Sequence, residues 1–342
     1  MCIEMGIKPK VVDMRQPLPK VSKVVTNIGK YKLRPEQEKA VKSVINNTIG
    51  GKPFHIGVLD YTVNAGKTLI MSSLYLSYKK QLKTLLITND SDWLNQAREE
   101  FKQYLPGEDI TFVQGKVLNW SNFTIGMVQS ISRNMRFYQK ELSQIDMVLI
   151  DEADQGGSRQ YQNVITRLFN TRIRIGLSGT IYMSKLAKDK VKNMNLECFF
   201  GKVLAEFKLR DSIKKGYSTK TVVKMVPGKP WYGNWESDCI SYKEIYDDSI
   251  TNSYTAWLMA YSRLRWNINQ GRYPALVVCK HIAHCENLYK FFKKKLGDAY
   301  NIAYVHVNTK SKLRQQIMKD FRDGKIDILV STNNHARGQK LS

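Results

Sequence analysis

The stretch Val58-Leu59-Asp60-Tyr61-Thr62-Val63-Asn64-Ala65-Gly66-Lys67-Thr68 decides how the rest of the chain is read. An apolar run, Ile56 to Leu59, enters a turn of small and polar residues that leaves through Gly66-Lys67-Thr68 into Leu69-Ile70-Met71. That order is strand, loop, helix. Such a loop holds phosphate because backbone N–H groups at a helix N-terminus converge on the anion, a lysine reaches the β- and γ-phosphates, and a threonine hydroxyl sits on magnesium. The pattern G-x-x-x-x-G-K-[ST] is met only in part, since Tyr61 stands at its first glycine. Asn64 takes a turn position where glycine is common, and asparagine is one of the few other residues that tolerate positive φ. Taken alone, the stretch also fits an ordinary strand-to-helix turn with a surface lysine.

A second stretch separates the two readings. Met147-Val148-Leu149-Ile150 is an apolar run that ends in Asp151-Glu152-Ala153-Asp154. A buried parallel strand that delivers adjacent carboxylates at its C-terminal end suits a nucleotide–magnesium site, one carboxylate holding the metal through water and the next polarising the attacking water. Together with the Gly-Lys-Thr loop in the same α/β segment, it predicts an NTPase.

Composition narrows the partners. The 342 residues carry 54 Lys+Arg against 30 Asp+Glu, a formal net charge of +24, and 42% hydrophobic residues. That length accommodates two α/β domains, and the positive field suits a polyanion. No apolar run approaches the roughly 20 residues of a spanning helix, so nucleic acid is favoured over membrane. The N-terminus lacks a secretory hydrophobic stretch, and five scattered cysteines read as reduced thiols, which places the chain in the cytoplasm. Cys279, His281, His284 and Cys285 lie close together, but Cys279 ends an apolar strand and no second cluster has matching spacing, so zinc is disfavoured.

Along the chain, residues 1–30 read as an arm containing Pro9, Pro17 and Pro19. Pro35-Glu36-Gln37 opens a helix that continues through Ala40, Val41, Val44 and Ile45. The Gln37 amide has the donor–acceptor pair needed to read an adenine edge. Helices over 69–82, 93–104 and 161–169 alternate with strands at 84–88, 110–113, 124–128 and 174–178. This alternation predicts a doubly wound parallel sheet with ligands at the carboxyl ends of its strands. The rhythm breaks from Cys198 to Asn252. There a basic helix (207–216) and a β-like run (219–226) precede Trp231, Tyr232 and Trp235, which either stack bases or pack a linker. It returns with strands at 274–279, 302–306 and 326–331 and helices at 253–268, 286–296 and 312–321. The second domain stops at Ser342 with too few elements to close a sheet. The expected domains are an arm (1–30), an ATP-binding domain (31–205), a linker or insert (206–255) and a C-terminal domain (256–342).

Taken together these stretches resemble a superfamily 2 helicase core, which implies two tandem RecA-like domains with ATP bound between them. In order, Arg34-Pro35-Glu36-Gln37 resembles the Q motif, Tyr61 to Thr68 motif I, Leu85 to Gln96 motif Ia, Gly126 to Ser130 motif Ib and Asp151 to Asp154 motif II. Ser178-Gly179-Thr180 resembles motif III, Val277 to His281 motif IV and Val330 to Gly338 motif V. The literal Asp-Glu-Ala-Asp and Ala336-Arg337-Gly338 are similar to DEAD-box RNA helicases. Ser-Gly-Thr in place of Ser-Ala-Thr, the Leu33-Arg34-Pro35-x-Gln37 entry and Ile175-Gly176-Leu177-Ser178-Gly179 look closer to DNA translocases, with phage branch-migration helicases of the UvsW type the nearest.

That resemblance implies ATP and Mg2+ as cofactors and branched DNA (fork, Holliday junction, R-loop) as partner, in phage replication and recombination inside the host cytoplasm. Residue by residue, it implies that Lys67 binds β/γ-phosphates, Thr68 and Asp151 hold magnesium, and Glu152 orients water. Arg34, Gln37, Asn64, Ala65 and Gly66 line the ATP site, while Asp154, Ser178, Gly179 and Thr180 couple hydrolysis to domain movement. Arg337 and Gly338 contribute from the second domain. An arginine-bearing motif VI is missing before Ser342. A DEAD-box-like RNA helicase and a non-catalytic nucleic-acid clamp remain the alternatives. No nuclease constellation is present, and no cleavage is expected.

Overall fold

In the computed structural model, the residues described are 17–49, 52–78, 81–115, 117–181, 187–220, 222–223, 225 and 241–332. The chain divides into two compact units, residues 1–220 and 221–342. In the first unit seven strands are β1 (His55–Tyr61), β2 (Thr84–Thr88), β3 (Ile110–Gln114), β4 (Phe123–Met127), β5 (Met147–Asp151), β6 (Ile173–Ser178) and β7 (Val203–Phe207). They form one sheet in the order β7-β1-β6-β5-β2-β4-β3, every neighbouring pair parallel, and the short strand Val117–Leu118 adds antiparallel to β3.

Both faces of the sheet are covered, as a parallel sheet requires. Successive side chains on a strand point to opposite faces, and β5 shows the consequence. Met147 and Leu149 join a core with Ala40, Val41 and Val44 of α1 (Pro35–Ile45) and Ile70, Met71 and Leu74 of α2 (Lys67–Ser77). Helix α3 (Ser91–Tyr104) adds Leu94 and Phe101 to that side. Val148 and Ile150 join the opposite core, which is built from α4 (Val128–Arg133), α5 (Gln139–Ser143), α6 (Arg159–Ile165) and α7 (Ala187–Phe200). A continuous apolar strand is the sequence trace of burial on two faces.

Four features differ from the sequence reading. Residues 203–207, read as the start of an irregular region, are strand β7, which pairs with β1 from Val203↔Val58 to Phe207↔Tyr61. Helix α7 was not anticipated. Of the β-like run 219–226, the residues described (219, 220, 222, 223 and 225) form no strand. Val222, Val223 and Met225 are exposed, because β-branched propensity without a partner strand does not make a sheet. The basic stretch 207–216 is helical only over α8 (Leu209–Lys214), and it ends at Gly216 with φ 73°.

The second unit holds a short helix α9 (Tyr242–Tyr246), then α10 (Tyr254–Asn269), α11 (Ile282–Leu296) and α12 (Ser311–Arg322). Among the described residues it has three parallel strands, β8 (Ala275–Cys279), β9 (Ile302–Val305) and β10 (Ile328–Thr332), in the order β8-β10-β9. Ile328 and Val330 pack against α10 and α11 on one face, and Leu329 packs with Met318 and Phe321 of α12 on the other. Helix α11 begins four residues earlier than the period alone indicated, because His284 and Cys285 are buried on its first turns. Among the described residues, no helix is long and apolar enough to cross a membrane.

Candidate functional site

Three parallel strands, β1, β6 and β5, send their carboxyl ends to one edge of the sheet. The loop Thr62–Gly66 follows β1, and the first residue of α2 is Lys67. Gly66 caps α2 in the left-handed region (φ 75°, ψ 43°), and Asn64 also has positive φ, 60°. These two reversals turn the main chain from strand to helix within a few residues, and a Cβ at position 66 would also lie 2.3 Å from the Gln37 Nε2. The N–H groups of Leu69 and Ile70 bond to the Gly66 carbonyl. Those of Gly66, Lys67 and Thr68 have no partner among the described residues. Unpaired donors at the start of a helix are a ready anion site.

Tyr61 explains why the glycine pattern is incomplete. It is the last residue of β1, not a loop residue, so its backbone is extended and needs no glycine. Its buried ring lies 6.0 Å from that of Phe207, and its hydroxyl donates to the Glu36 carbonyl at 2.7 Å. Burial, then the nearby Glu36 charge, pushes the phenol above its ordinary range.

The segment before α1 braces the loop. Gln37 is 1% exposed; its Nε2 donates to Ala65 O at 2.8 Å and its Oε1 accepts from the Arg34 N–H at 2.8 Å. The amide therefore holds the loop, with both ends engaged by protein. Arg34 Nη2 donates to Asn64 O at 3.2 Å, its Nε lies 3.3 Å from Glu36, and its guanidinium stacks 4.2 Å from the Tyr217 ring centre. Lys215 pairs with the buried Glu36 at 2.8 Å. Burial alone would raise the Glu36 carboxyl, yet the Lys215 hydrogen bond and the charges around it hold it below its ordinary value. Tyr217, Lys215 and Lys208, the last paired with Asp60 at the end of β1, were not singled out from sequence. Nothing local marks them, since their partners lie far away in the chain.

Across the edge, Asp151 ends β5 with its carboxylate buried and Oδ1 3.6 Å from Lys67 Nζ, without a hydrogen-bond partner. Burial raises its pKa, with Lys67 opposing; burial also raises that of Glu152, against Lys67 and with Asp151, Asp154 and Asp90 adding to the rise. Glu152 sits at φ 54°, ψ 47°, a left-handed conformation worth about 1–2 kcal/mol for a residue with a side chain. The turn aims the carboxylates of Asp151 and Asp154 differently, Asp151 at Lys67 and Asp154 at Ser178 at the end of β6.

Asp154 Oδ1 accepts from Ser178 Oγ at 3.0 Å, and Ser178 Oγ in turn accepts from the Thr180 N–H at 3.1 Å. Gly179 between them lies against the phosphate loop: a Cβ there would be 2.9 Å from Thr62 Cα and 3.0 Å from Tyr61 O. A chain of amides extends the edge, Gln129 Nε2 donating to Asn89 O at 3.3 Å and the Asn89 Nδ2 to Gln155. The structure thus brings Arg34, Gln37, Asn64, Ala65, Gly66, Lys67, Thr68, Asp151, Glu152, Asp154, Ser178, Gly179 and Thr180 to one edge. Arg337, Gly338 and the aromatics Trp231, Tyr232 and Trp235 lie outside the described residues.

The donor set fits a nucleotide with a divalent cation. The N–H groups of Gly66, Lys67 and Thr68, without partners among the described residues, and the Lys67 ammonium supply the charge complement of phosphates. The unpartnered Asp151 oxygen and the Thr68 hydroxyl are hard oxygen ligands of the kind magnesium takes. In the second unit Cys279 and Cys285 are buried thiols, and Cys285 Sγ donates to Val330 O at 3.5 Å. Tyr246 Oη lies 3.3 Å from His284 Nδ1. Among the described residues no group of three or more His, Cys, Asp or Glu converges to hold a metal.

Comparison with known proteins agrees with this geometry. Residues 30–183 match the family described as type III restriction enzyme, res subunit, and residues 260–342 match the helicase conserved C-terminal domain. A curated protein of Candida albicans named ATP-dependent RNA helicase CHR1 is 23% identical over 204 residues, which is 58% of this chain and 29% of that protein. The chain thus spans under a third of that relative's length. Yeast (S. cerevisiae) Dbp5, solved bound to RNA and ADP BeF3, superposes with a TM-score of 0.58 at 14% identity, covering 90% of this chain and 72% of Dbp5. That likeness shows the fold alone. UvsW of phage T4 gives a TM-score of 0.45 at 18% identity over 97% of this chain and 66% of UvsW.

Proposed function

The chain belongs to the superfamily 2 helicases, and from that premise we propose that it is an ATP-driven nucleic-acid motor whose substrate is DNA, branched DNA in particular. The observation that carries the motor reading is the pairing of Lys67 with Asp151, 3.6 Å apart, beside the N–H groups of Gly66, Lys67 and Thr68, which have no partner among the described residues. In this reading Lys67 and the loop hold the ATP phosphates, and Thr68 and Asp151 hold Mg2+. Glu152 orients the attacking water, Arg337 and Gly338 act from the second domain, and Asp154, Ser178, Gly179 and Thr180 pass the loss of the γ-phosphate on to the nucleic-acid surface. A bound divalent cation, held by Thr68 and Asp151, would neutralise negative charge on the phosphates. The setting proposed is the cytoplasm of a phage's host, with fork regression, junction migration and R-loop removal as the work done.

Support for DNA comes from the Ser178-Gly179-Thr180 and Leu33-Arg34-Pro35 stretches and from the +24 charge, which favours a dense phosphate array. A specific observation favours RNA as the second reading. Asp151-Glu152-Ala153-Asp154 is the literal DEAD-box sequence, and the curated relative is named an RNA helicase. The test is ATP hydrolysis titrated with a four-way DNA junction, linear duplex, single-stranded DNA and single-stranded RNA. Greatest stimulation by the junction is expected. Stimulation by RNA alone moves the protein to the RNA reading, and hydrolysis with none of them reduces it to a nucleic-acid clamp.

A further inference from the structure

Helices α4 and α6 start at the carboxyl edge of the sheet and run away from it, so their C-terminal ends stand apart from the nucleotide site. Between those ends lies a cavity of 460 Å³ lined by Arg133, Arg136, Arg167, Phe137, Gln139 and Asn163, among others, and by no acidic residue. All three arginines are exposed, and among the described residues none of them forms an ion pair. Phe137 is 81% exposed.

The turn that presents Phe137 is firmly built. Phe137 N–H donates to Asn134 O at 2.9 Å and the Asn134 Nδ2 donates to Ser130 O at 2.9 Å. The next residue, Tyr138, is buried with its ring edge-on to Trp120 at 5.3 Å, and Leu142 is buried one turn later. A held main chain keeps the aromatic ring outward while its neighbour points in. A helix C-terminus favours cations, which accounts for Arg133 in the last turn of α4 and Arg167 just past α6. It does not account for Arg136, nor for a phenylalanine displayed among three unpaired guanidinium groups.

We propose that this face of the first unit is a second nucleic-acid contact, taking an unpaired segment with one base stacked on Phe137 and its flanking phosphates on Arg133, Arg136 and Arg167. It rests on the nucleic-acid reading above. Aromatic stacking tolerates any base and arginines grip phosphate as planar forks, so the site selects single-strandedness, not sequence. Gln139 and Asn163 supply donors and acceptors at the rim.

The test is binding of a fluorescent duplex carrying a single-stranded tail to the full chain, across a salt series. The Arg136→Ala/Arg167→Ala double variant is expected to flatten the log–log salt slope by about 1.4, at roughly 0.7 per lost single-strand phosphate contact. Phe137→Ala is expected to bind the tailed duplex about ten-fold more weakly with an unchanged slope, and Phe137→Trp to restore it. Hydrolysis of ATP without nucleic acid stays at the wild-type rate in all of them. Tight wild-type binding with every variant unchanged overturns the proposal and leaves the motor reading intact, whereas a wild type that binds no nucleic acid overturns both. Poly-glutamate binding that the double variant loses, with nucleic-acid binding unchanged, gives the face to an acidic protein partner instead.

Discussion

Replacing Gly179 by alanine, the residue at this position in the Ser-Ala-Thr version of the motif, adds one methyl group. Its nearest neighbours are Thr62 Cα at 2.9 Å and Tyr61 O at 3.0 Å, both main chain. Neither can swing aside as a side-chain tip could, so either the loop after β1 or the end of β6 must move. Gly179 has no left-handed φ, which makes the effect steric with no torsional part. Overpacking of this kind costs about 1–3 kcal/mol. In a unit of about 200 residues each kcal/mol lowers Tm by roughly 2–4 °C, so a fall of about 4–8 °C is expected for a cost near 2 kcal/mol. The displaced atoms begin the phosphate loop, so nucleotide binding weakens as well, by about ten-fold for every 1.4 kcal/mol that falls on the bound state. Thermal unfolding by circular dichroism, with and without a non-hydrolysable ATP analogue, reads both terms. A Gly179→Ala chain that melts at the wild-type temperature and gains the same stabilisation from the analogue would refute the close approach as a constraint on the loop.

Lys67→Ala is expected to abolish nucleotide binding, measured by titration with a fluorescent ATP analogue, and it removes the cation that opposes Asp151's burial. A carboxyl whose folded pKa lies above its unfolded value destabilises the fold above the folded pKa and not below the unfolded one. The variant should therefore melt well below wild type near neutral pH and recover toward it as pH falls, which a Tm series over pH 8 to 5 checks. Glu152→Gln is expected to keep ATP binding and to lower hydrolysis by about 10²–10⁴-fold in a phosphate-release assay. Because burial also raises the Glu152 pKa, the same substitution should raise Tm at neutral pH, with the gain shrinking on acidification. Gln37→Ala removes both bracing bonds and should weaken ATP and GTP alike; a loss confined to ATP, measured by competition binding, would assign the amide to adenine instead.

Much of the edge was legible because its residues act through local chemistry. Gly66, Lys67 and Thr68 mark a turn into a helix, Asn64 marks a positive φ, and an apolar run ending in Asp151 marks a two-faced strand delivering a charge. Tyr61 shows the limit of a pattern read letter by letter: the extra strand residue that removes the need for glycine is visible only once β1 pairs with β6 and β7. Strand β7 escapes a reading from sequence because it carries the exposed Glu206 and gains its identity from a partner strand far upstream. Helix α7 buries Leu196 and Phe200 against the sheet, too few apolar positions for a 14-residue helix to declare its period. The brace from Gln37 to Ala65 and the pair of Lys215 with Glu36 are tertiary facts that no window of sequence contains.

The placement of β7 beside β1 also sets a timetable. Asp60 at the end of β1 and its partner Lys208 just past β7 are 148 residues apart. A ribosome adding about 5–20 residues per second delivers the second roughly 7–30 s after the first. Until β6 arrives, β1, which leads into the phosphate loop, has neither of its neighbours, and from then until β7 follows it stands at the margin of the nascent sheet with one row of N–H and C=O groups unmatched. Unmatched edges recruit other strands, so this is the stage at which the newborn chain is most open to mispairing. A polypeptide cut at residue 183, where the first family match ends, would hold that vulnerable state permanently. It should collect as aggregates even though it contains Lys67, Asp151 and Glu152, while one carried through residue 220 should be soluble.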